Sequence, residues 1–270
     1  MAEGDTAHAT AAELHAALAG HALVGTDLRV PRFATADLSG RVLEGIEARG
    51  KHLLMRTDGG ETVHSHLGLD GSWRVYRTGE RWRATGHEIR AVLRVEGLAA
   101  VGVRLRRLEV VATSREADVV GHLGPDPLAR DWDAAEALRR LTSSPGRPVG
   151  EVLRDQSVIA GPGNVYRSEV CFLAGTHPLT PVGDVPDPAV VVALTASSMR
   201  ANARGGRRST TGDRRPGREL WVYGRAGRPC RRCSTPVRSI RIASIGGARI
   251  AYLCPACQPA PAAATSASTS

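Results

Sequence analysis

The sequence predicts an α+β chain in two parts: a β-sandwich or barrel with one flanking helix, then a helical half ending in a metal-clasped hairpin. Three observations predict it. Between His21 and about Thr113, short β-rich runs punctuated by Gly, Pro and Asp follow one another. Beyond Gly121 the apolar spacing becomes helical. Near the end, Cys230, Cys233, Cys254 and Cys257 stand as two Cys-x-x-Cys pairs, a tetrahedral ligand spacing. The expected division is a β-sandwich part over 1–121, a linker over 122–128, a helical part over 129–225, a finger over 226–258 and a disordered tail over 259–270.

In chain order, Thr6 is placed to cap a helix from about Ala7 to Ala19, with Ala11, Leu14 and Leu18 on one face and Gly20 as the stop. Strand-like runs follow at Ala22 to Val30, His52 to Thr57, Thr62 to His66, Ser72 to Tyr76, Ile89 to Val95 and Val101 to Ala112. Asp58-Gly59-Gly60 between two of them is a hairpin signal. Lys51 is expected to open one of these strands. In the second half, Asp131 or Asp133 caps a helix to about Leu141, and Pro148 starts a short one through Arg154. Two more run from Asn164 to Ala174 and from Pro188 to Asn202.

The formal charge of +9 and a pI near 10.1 favour a polyanionic partner, nucleic acid before membrane. No apolar run approaches the roughly 20 residues of a membrane span. The start, Met1-Ala2-Glu3-Gly4-Asp5, has no basic or apolar secretory region, so the chain is expected in the cytoplasm. In that compartment, paired cysteines point to metal rather than disulfides. A closed four-thiolate site makes the metal structural, holding a hairpin too short to have its own core. Cys171, beside Phe172, reads as a small buried hydrophobe.

Lys51 is the sole lysine among 36 basic residues. A guanidinium supplies charge as well as an ammonium does but cannot release its proton, so a single lysine hints at proton transfer; chance retention is the bland alternative. His64 and His66 share a strand face without a third ligand near in sequence, which argues against a metal. Leu69, in the loop Leu67-Gly68-Leu69-Asp70-Gly71, is either a wedge for a base stack or a leucine turned back to the core. Ile159-Ala160-Gly161-Pro162-Gly163-Asn164 delivers the chain onto a helix N-terminus, where Asn164 is an anion-binding donor or an ordinary N-cap. Arg204 to Arg218 reads as a mobile or merely solvated basic loop.

Together these stretches resemble the formamidopyrimidine-DNA glycosylase and endonuclease VIII family of bifunctional base-excision repair enzymes, over nearly the whole chain to about Gln258. The resemblance rests on Glu3-Gly4-Asp5-Thr6, Arg49-Gly50-Lys51 and Ser65 to Gly71. It rests also on Gly161-Pro162-Gly163-Asn164-Val165-Tyr166-Arg167-Ser168-Glu169 and the finger from Arg249 to Gln258. It implies a β-sandwich, a helix-two-turns-helix domain and a zinc finger with one structural zinc. The implied reaction begins with attack by the residue 2 amine, freed of Met1, on the sugar of an extruded damaged nucleotide. A Schiff base, loss of the base and two eliminations follow. The resemblance makes Glu3 the carboxylate at the sugar, Lys51 the aid to the first elimination, Arg249 the phosphate grip in the second and Glu169 a carboxylate near the amine. Asn164, Leu69, Arg107 and Tyr166 become the candidate DNA contacts. The Glu-Gly-Asp opening is like the endonuclease VIII branch, implying oxidised pyrimidines in double-stranded DNA, or abasic sites, as substrates. A monomer associated with the nucleoid is expected.

Two positions depart from the family pattern. Ala2 stands where the family has proline, so the imine formed must be protonated to draw electrons, whereas a proline iminium is always cationic. Gly68 stands where a larger polar residue often fills the hole left by an extruded base. The Ala2 substitution leaves open a second reading, a damaged- or abasic-DNA-binding protein with weakened or lost catalysis.

Overall fold

The computed structural model describes residues 2–243 and 247–261, and the chain divides into two compact units, 1–122 and 123–270. The tail expected to be disordered lies outside the described residues from 262 onward.

The first unit begins with α1 (Gly4–Leu18), followed by β1 (Gly25–Leu28), β2 (Leu43–Arg49), β3 (His52–Thr57), β4 (Glu61–His66), β5 (Ser72–Arg77), β6 (Ile89–Val95), β7 (Leu98–Val103), β8 (Arg107–Ala112) and the short α2 (Ala117–Val120). Two antiparallel four-stranded sheets, ordered β1-β6-β7-β5 and β2-β3-β4-β8, form a sandwich. Alternation along the strands sends Leu43, Leu53, Met55 and Val63 of one sheet, and Trp73, Ala91, Leu93 and Ala100 of the other, into a single core. Helix α1 adds Ala11, Leu14 and Leu18 to that core and packs against β2 and β5, an edge strand of each sheet. The Trp73 indole N–H donates to the buried Ser65 hydroxyl at 3.0 Å, so the largest core side chain leaves no polar atom stranded.

The helix starts earlier than Thr6 suggests. Glu3, with extended backbone, is the N-cap, and Thr6 is the third helical residue, its hydroxyl accepting from the Glu3 amide at 3.5 Å. Strand β2 escapes the sequence pattern because a bulge between Leu43 and Gly45 breaks its period of two. The run expected from Val101 to Ala112 is two strands. Arg104 turns the chain between them at φ +49°, a left-handed corner that a non-glycine residue does not advertise. Lys51 does not open a strand; with Gly50, at φ +57°, it forms the tight turn of the β2–β3 hairpin.

The second unit carries α3 (Ala134–Thr142), α4 (Val149–Val152), α5 (Asn164–Leu173), α6 (Pro188–Arg200) and an antiparallel hairpin of β9 (Arg238–Ile242) and β10 (Arg249–Leu253). Asp133 caps α3 by accepting from the Glu136 amide, and Asp187 caps α6 ahead of Pro188. Ala137, Leu141, Val152, Ile159, Val170, Cys171 and Val192 form the helical core. Burial there pushes the Cys171 thiol up to about 12, so it is inert at neutrality. A smaller cluster of Phe172, Val222, Val237, Cys230 and Cys254 joins the hairpin to the end of α5.

Candidate active site

In the first unit, two hydrogen bonds fix how α1 lies on β2. The Gly20 amide, just past the helix end, donates to the Leu43 carbonyl at 2.7 Å, and the Ile46 amide donates to His15 Nδ1 at 3.2 Å. Helix and strand therefore run in opposite senses. From Ile46 to Lys51 is five strand residues, roughly 17 Å, which matches about eleven helical residues counted back from His15. The Gly50-Lys51 turn thus falls roughly level with residue 4, at the start of the helix. Glu3 is 1% exposed, held at the cap, while Ala2 is half-buried against the sandwich core.

The loop after β4 presents Leu69 rather than folding it in: its side chain is 59% exposed, while Leu67 is the one that enters the core. Gly68 has a local reason to be glycine. Its φ is +73°, and a Cβ there would come within 2.8 Å of the Arg106 Cβ. Arg107, half-exposed at the start of β8, pairs with Glu109 at 2.8 Å. His64 and His66 do not make a metal pair, because both ring nitrogens of His64 are taken, by His52 at 2.7 Å and by Glu109 at 2.7 Å.

In the second unit, Gly163 is the N-cap of α5 and Asn164 its first residue, so Asn164 is not the cap. Its amide nitrogen donates to the Ile250 carbonyl on β10 at 2.8 Å, and its amide oxygen accepts from buried Arg167, which also donates to the Ile250 carbonyl at 3.1 Å. These bonds lash the start of α5 to the strand that carries Arg249, whose side chain is exposed. Tyr166 is wholly buried with the Arg208 guanidinium 5.2 Å over its ring, which does not suit the DNA contact expected of it. Glu169 is also fully buried. Its oxygens accept from the amides of Trp221, Val222 and Tyr223 at 2.8 to 2.9 Å and from the Thr210 hydroxyl.

Those four bonds make Glu169 the anchor of the 209–223 segment. The stretch from Arg204 to Arg218 is accordingly tied down rather than loose. Asn202 brackets Ser209 with two bonds of 2.8 Å, Arg214 donates to the Ala201 carbonyl at 2.9 Å, and Arg207 pairs with Glu219 at 2.9 Å. Glu169→Ala is expected to cost about 4 kcal/mol, since it orphans three amides at once, one of them fully buried and two partly so. A urea melt measures this; a loss under about 1 kcal/mol would contradict the anchoring role.

The four cysteine sulfurs lie within 4.8 Å of one another, with separations of 3.4 Å between Cys233 and Cys254 and 4.0 Å between Cys230 and Cys257. Four sulfurs about 2.3 Å from one ion would stand about 3.8 Å apart, so the cluster can bind a metal ion. Among the described residues it is the one group of ligating side chains close enough to share one. Gln258, which sequence reasoning took only as the end of the resemblance, is fully buried. Its amide bonds the Cys254 N–H and the Thr176 carbonyl, each at 2.9 Å, holding the second knuckle to the helical core.

A sandwich with a capped N-terminal helix, a helical unit in which a Gly-Pro-Gly-Asn turn leads into α5, and a four-cysteine hairpin are the parts of a helix-two-turns-helix DNA glycosylase fold. The family model described as formamidopyrimidine-DNA glycosylase N-terminal domain matches residues 1–117, and that of the formamidopyrimidine-DNA glycosylase H2TH domain matches 123–199. "Probable endonuclease 8 2" of Streptomyces coelicolor is 49% identical, over 97% of this chain and 95% of its own. "DNA-(apurinic or apyrimidinic site) lyase Nei2" of Mycolicibacterium smegmatis is 46% identical, over 96% and 100%. The chain belongs to the formamidopyrimidine-DNA glycosylase family. Its fold is also that of Lactococcus lactis Fpg, solved in complex with "an abasic site containing DNA", with a TM-score of 0.80 at 22% identity over 96% of this chain and 100% of that one. Among the described residues, no helix is long and apolar enough to cross a membrane.

Proposed function

We propose that this chain is a bifunctional DNA glycosylase and abasic-site lyase of base excision repair. It removes oxidised bases, pyrimidines first, from double-stranded DNA as a cytoplasmic, nucleoid-associated monomer. The observation that carries the reading is the alignment of the Gly50-Lys51 turn with the start of α1, which puts the turn bearing the single lysine roughly level with residue 4. Family membership, and the lyase named among its relatives, support it.

Once Met1 is removed, the Ala2 amine stands one residue ahead of the α1 N-cap. The partial positive charge of the helix end favours its neutral, nucleophilic form. The amine adds to C1′ of an extruded nucleotide and the base departs with the N-glycosidic electron pair; nitrogen then loses a proton, and the sugar ring opens as the C1′–O4′ bond breaks and O4′ takes up a proton, leaving a C=N bond to the chain. Glu3 stabilises positive charge as it develops on the sugar. With the imine protonated, a C2′ proton is lost and the 3′ phosphate leaves; Lys51 exchanges the protons this step needs. The second elimination releases the 5′ phosphate, which Arg249 grips. Asn164 and the N-terminus of α5 take a backbone phosphate. Exposed Leu69 is the wedge that fills the stack, and Arg107 is a second phosphate contact from the same unit. Glu169 serves by fixing the segment it anchors. Cys230, Cys233, Cys254 and Cys257 would hold one structural zinc, whose closed coordination supplies shape to the finger and takes no part in the reaction.

The test is borohydride trapping on an abasic duplex with the demethionylated chain and with the same chain acetylated at its α-amine. The first is expected to give a covalent adduct and the second none. Equal trapping by both would contradict the reading. Ala2→Pro is expected to raise trapping and nicking at neutral pH by roughly tenfold, because the secondary amine gives a permanently cationic iminium. A binding protein that has lost catalysis would show lesion-selective binding without an adduct in either form.

A further inference from the structure

The outer face of the β2-β3-β4-β8 sheet, opposite the sandwich core, carries a buried polar string. Arg107 on β8 pairs with Glu109 through two nitrogens, at 2.8 and 3.3 Å. Glu109 accepts from His64 Nδ1 at 2.7 Å, and His64 Nε2 meets His52 Nδ1 at 2.7 Å. The register explains the line, because His64 stands opposite Glu109 on β8 and the pair His52 and His66 flanks it on β3 and β4. His66 and His122 close the far end, with ring centroids 4.9 and 6.2 Å from that of His52. His52 is the residue directly after Lys51, so the string ends at the base of the turn that carries it.

The bonds dictate where the protons are. A carboxylate only accepts, so His64 bears its hydrogen on Nδ1 and offers Nε2 as acceptor, and His52 must donate from Nδ1. His66 Nδ1 accepts from the Gly68 amide at 3.0 Å, so its hydrogen is on Nε2. Burial, then the neighbouring His66, holds His52 down to about 3, and burial with Lys51 holds His66 at about 4. Burial lowers His64 as well, against the pull of Glu109. The other charges facing the string are Arg106 and Arg107, with Glu116 from the segment after β8. The imidazoles are therefore neutral near pH 7.

We propose that the string from Glu109 through His64 to His52 is a positioning device for Lys51, one that holds the turn in place while it is neutral and loosens it when it takes up a proton. This rests on the lyase reading above. A proton arriving at His52 Nε2 is matched by transfer of the His52 Nδ1 proton to His64 Nε2. The net charge then sits on His64 beside Glu109, the bond between the rings is reversed, and His52 presents an N–H where it had offered a lone pair. The first elimination falls for this reason at a pH below the ordinary imidazole range, beyond any loss of amine nucleophilicity.

The experiment compares the nicking rate with the yield of borohydride-trapped adduct on an abasic duplex, from about pH 4 to 8, for the native chain, His64→Gln and His64→Leu. Glutamine can donate to Glu109 and accept from His52 but cannot titrate. His64→Leu is expected to lower the nick-to-adduct ratio about tenfold at every pH. His64→Gln is expected to keep a near-native ratio at pH about 7.5 and hold it level into acid, where the native ratio falls. A native ratio in His64→Leu, or a loss in His64→Gln equal to that in His64→Leu, would overturn the proposal. Nitrogen-15 NMR of labelled histidine tests the string without any substitution: His64 should be neutral with its proton on Nδ1 at pH about 7.5, and an imidazolium there would overturn it too. A native chain that neither traps nor nicks defeats the lyase reading itself; a trapping chain indifferent to residue 64 defeats the string alone.

Discussion

Lys51→Ala is expected to slow strand cleavage at an abasic site by about 10²- to 10⁴-fold, the span that positioned acid–base groups contribute. The trapped adduct should persist, because the residue 2 amine makes the bond to carbon and Lys51 acts only afterwards. Lys51→Arg separates charge from proton exchange. It keeps a cation on the Gly50-Lys51 turn but cannot release a proton, so it should be impaired about as much as the alanine variant. Single-turnover nicking measures both. Arginine restoring the rate would mean that the turn needs only a positive charge, and the lone lysine in a chain with 36 basic residues would lose its chemical reason.

The second large effect concerns the finger. Stripping the metal with a strong chelator, or replacing Cys254 with Ser, is expected to unfold the β9–β10 hairpin. Structural zinc contributes on the order of 10 kcal/mol in such sites, more than a five-residue strand pair holds alone. The consequence reaches past the hairpin. The Ile250 carbonyl that orders Asn164 and Arg167 belongs to β10, and Gln258 ties the second knuckle to Thr176. Loss of the ion should therefore remove Arg249 and disorder the α5 entrance together, with a drop in abasic-DNA affinity of about a hundredfold. Proteolysis confined to the finger, with the sandwich intact by circular dichroism, is the expected companion result. Unchanged affinity after complete removal of the metal would contradict the role given to the hairpin.

What was legible in the sequence was chemistry local in the chain. Two cysteine pairs announce their site because two ligands come from each short turn, and the sulfurs do converge within 4.8 Å. The helix starts at Asp131 or Asp133 and at Pro188 were visible for the same reason, since a start signal and its helix are neighbours; the structure puts the caps at Asp133 and Asp187. What escaped depends on pairing between strands far apart in sequence. His64 looks idle until β8 brings Glu109 opposite it and β3 brings His52 alongside. Glu169 looks like one more charged residue of a signature until Trp221, Val222 and Tyr223 return to it. Strand β2 was hidden by its bulge, and with it the reason Lys51 lies in a turn. Arg104 concealed a corner because its left-handed φ has no compositional mark.

The proposed reaction depends on the start of α1 lying roughly level with the hairpin turn, as two hydrogen bonds and the two rises per residue indicate. Mass spectrometry of the borohydride-reduced complex tests it most directly, by locating the DNA remnant on a peptide. The remnant is expected on the nitrogen of Ala2 in a chain that has lost Met1. A remnant on Lys51, or on a chain that still carries Met1, would contradict it.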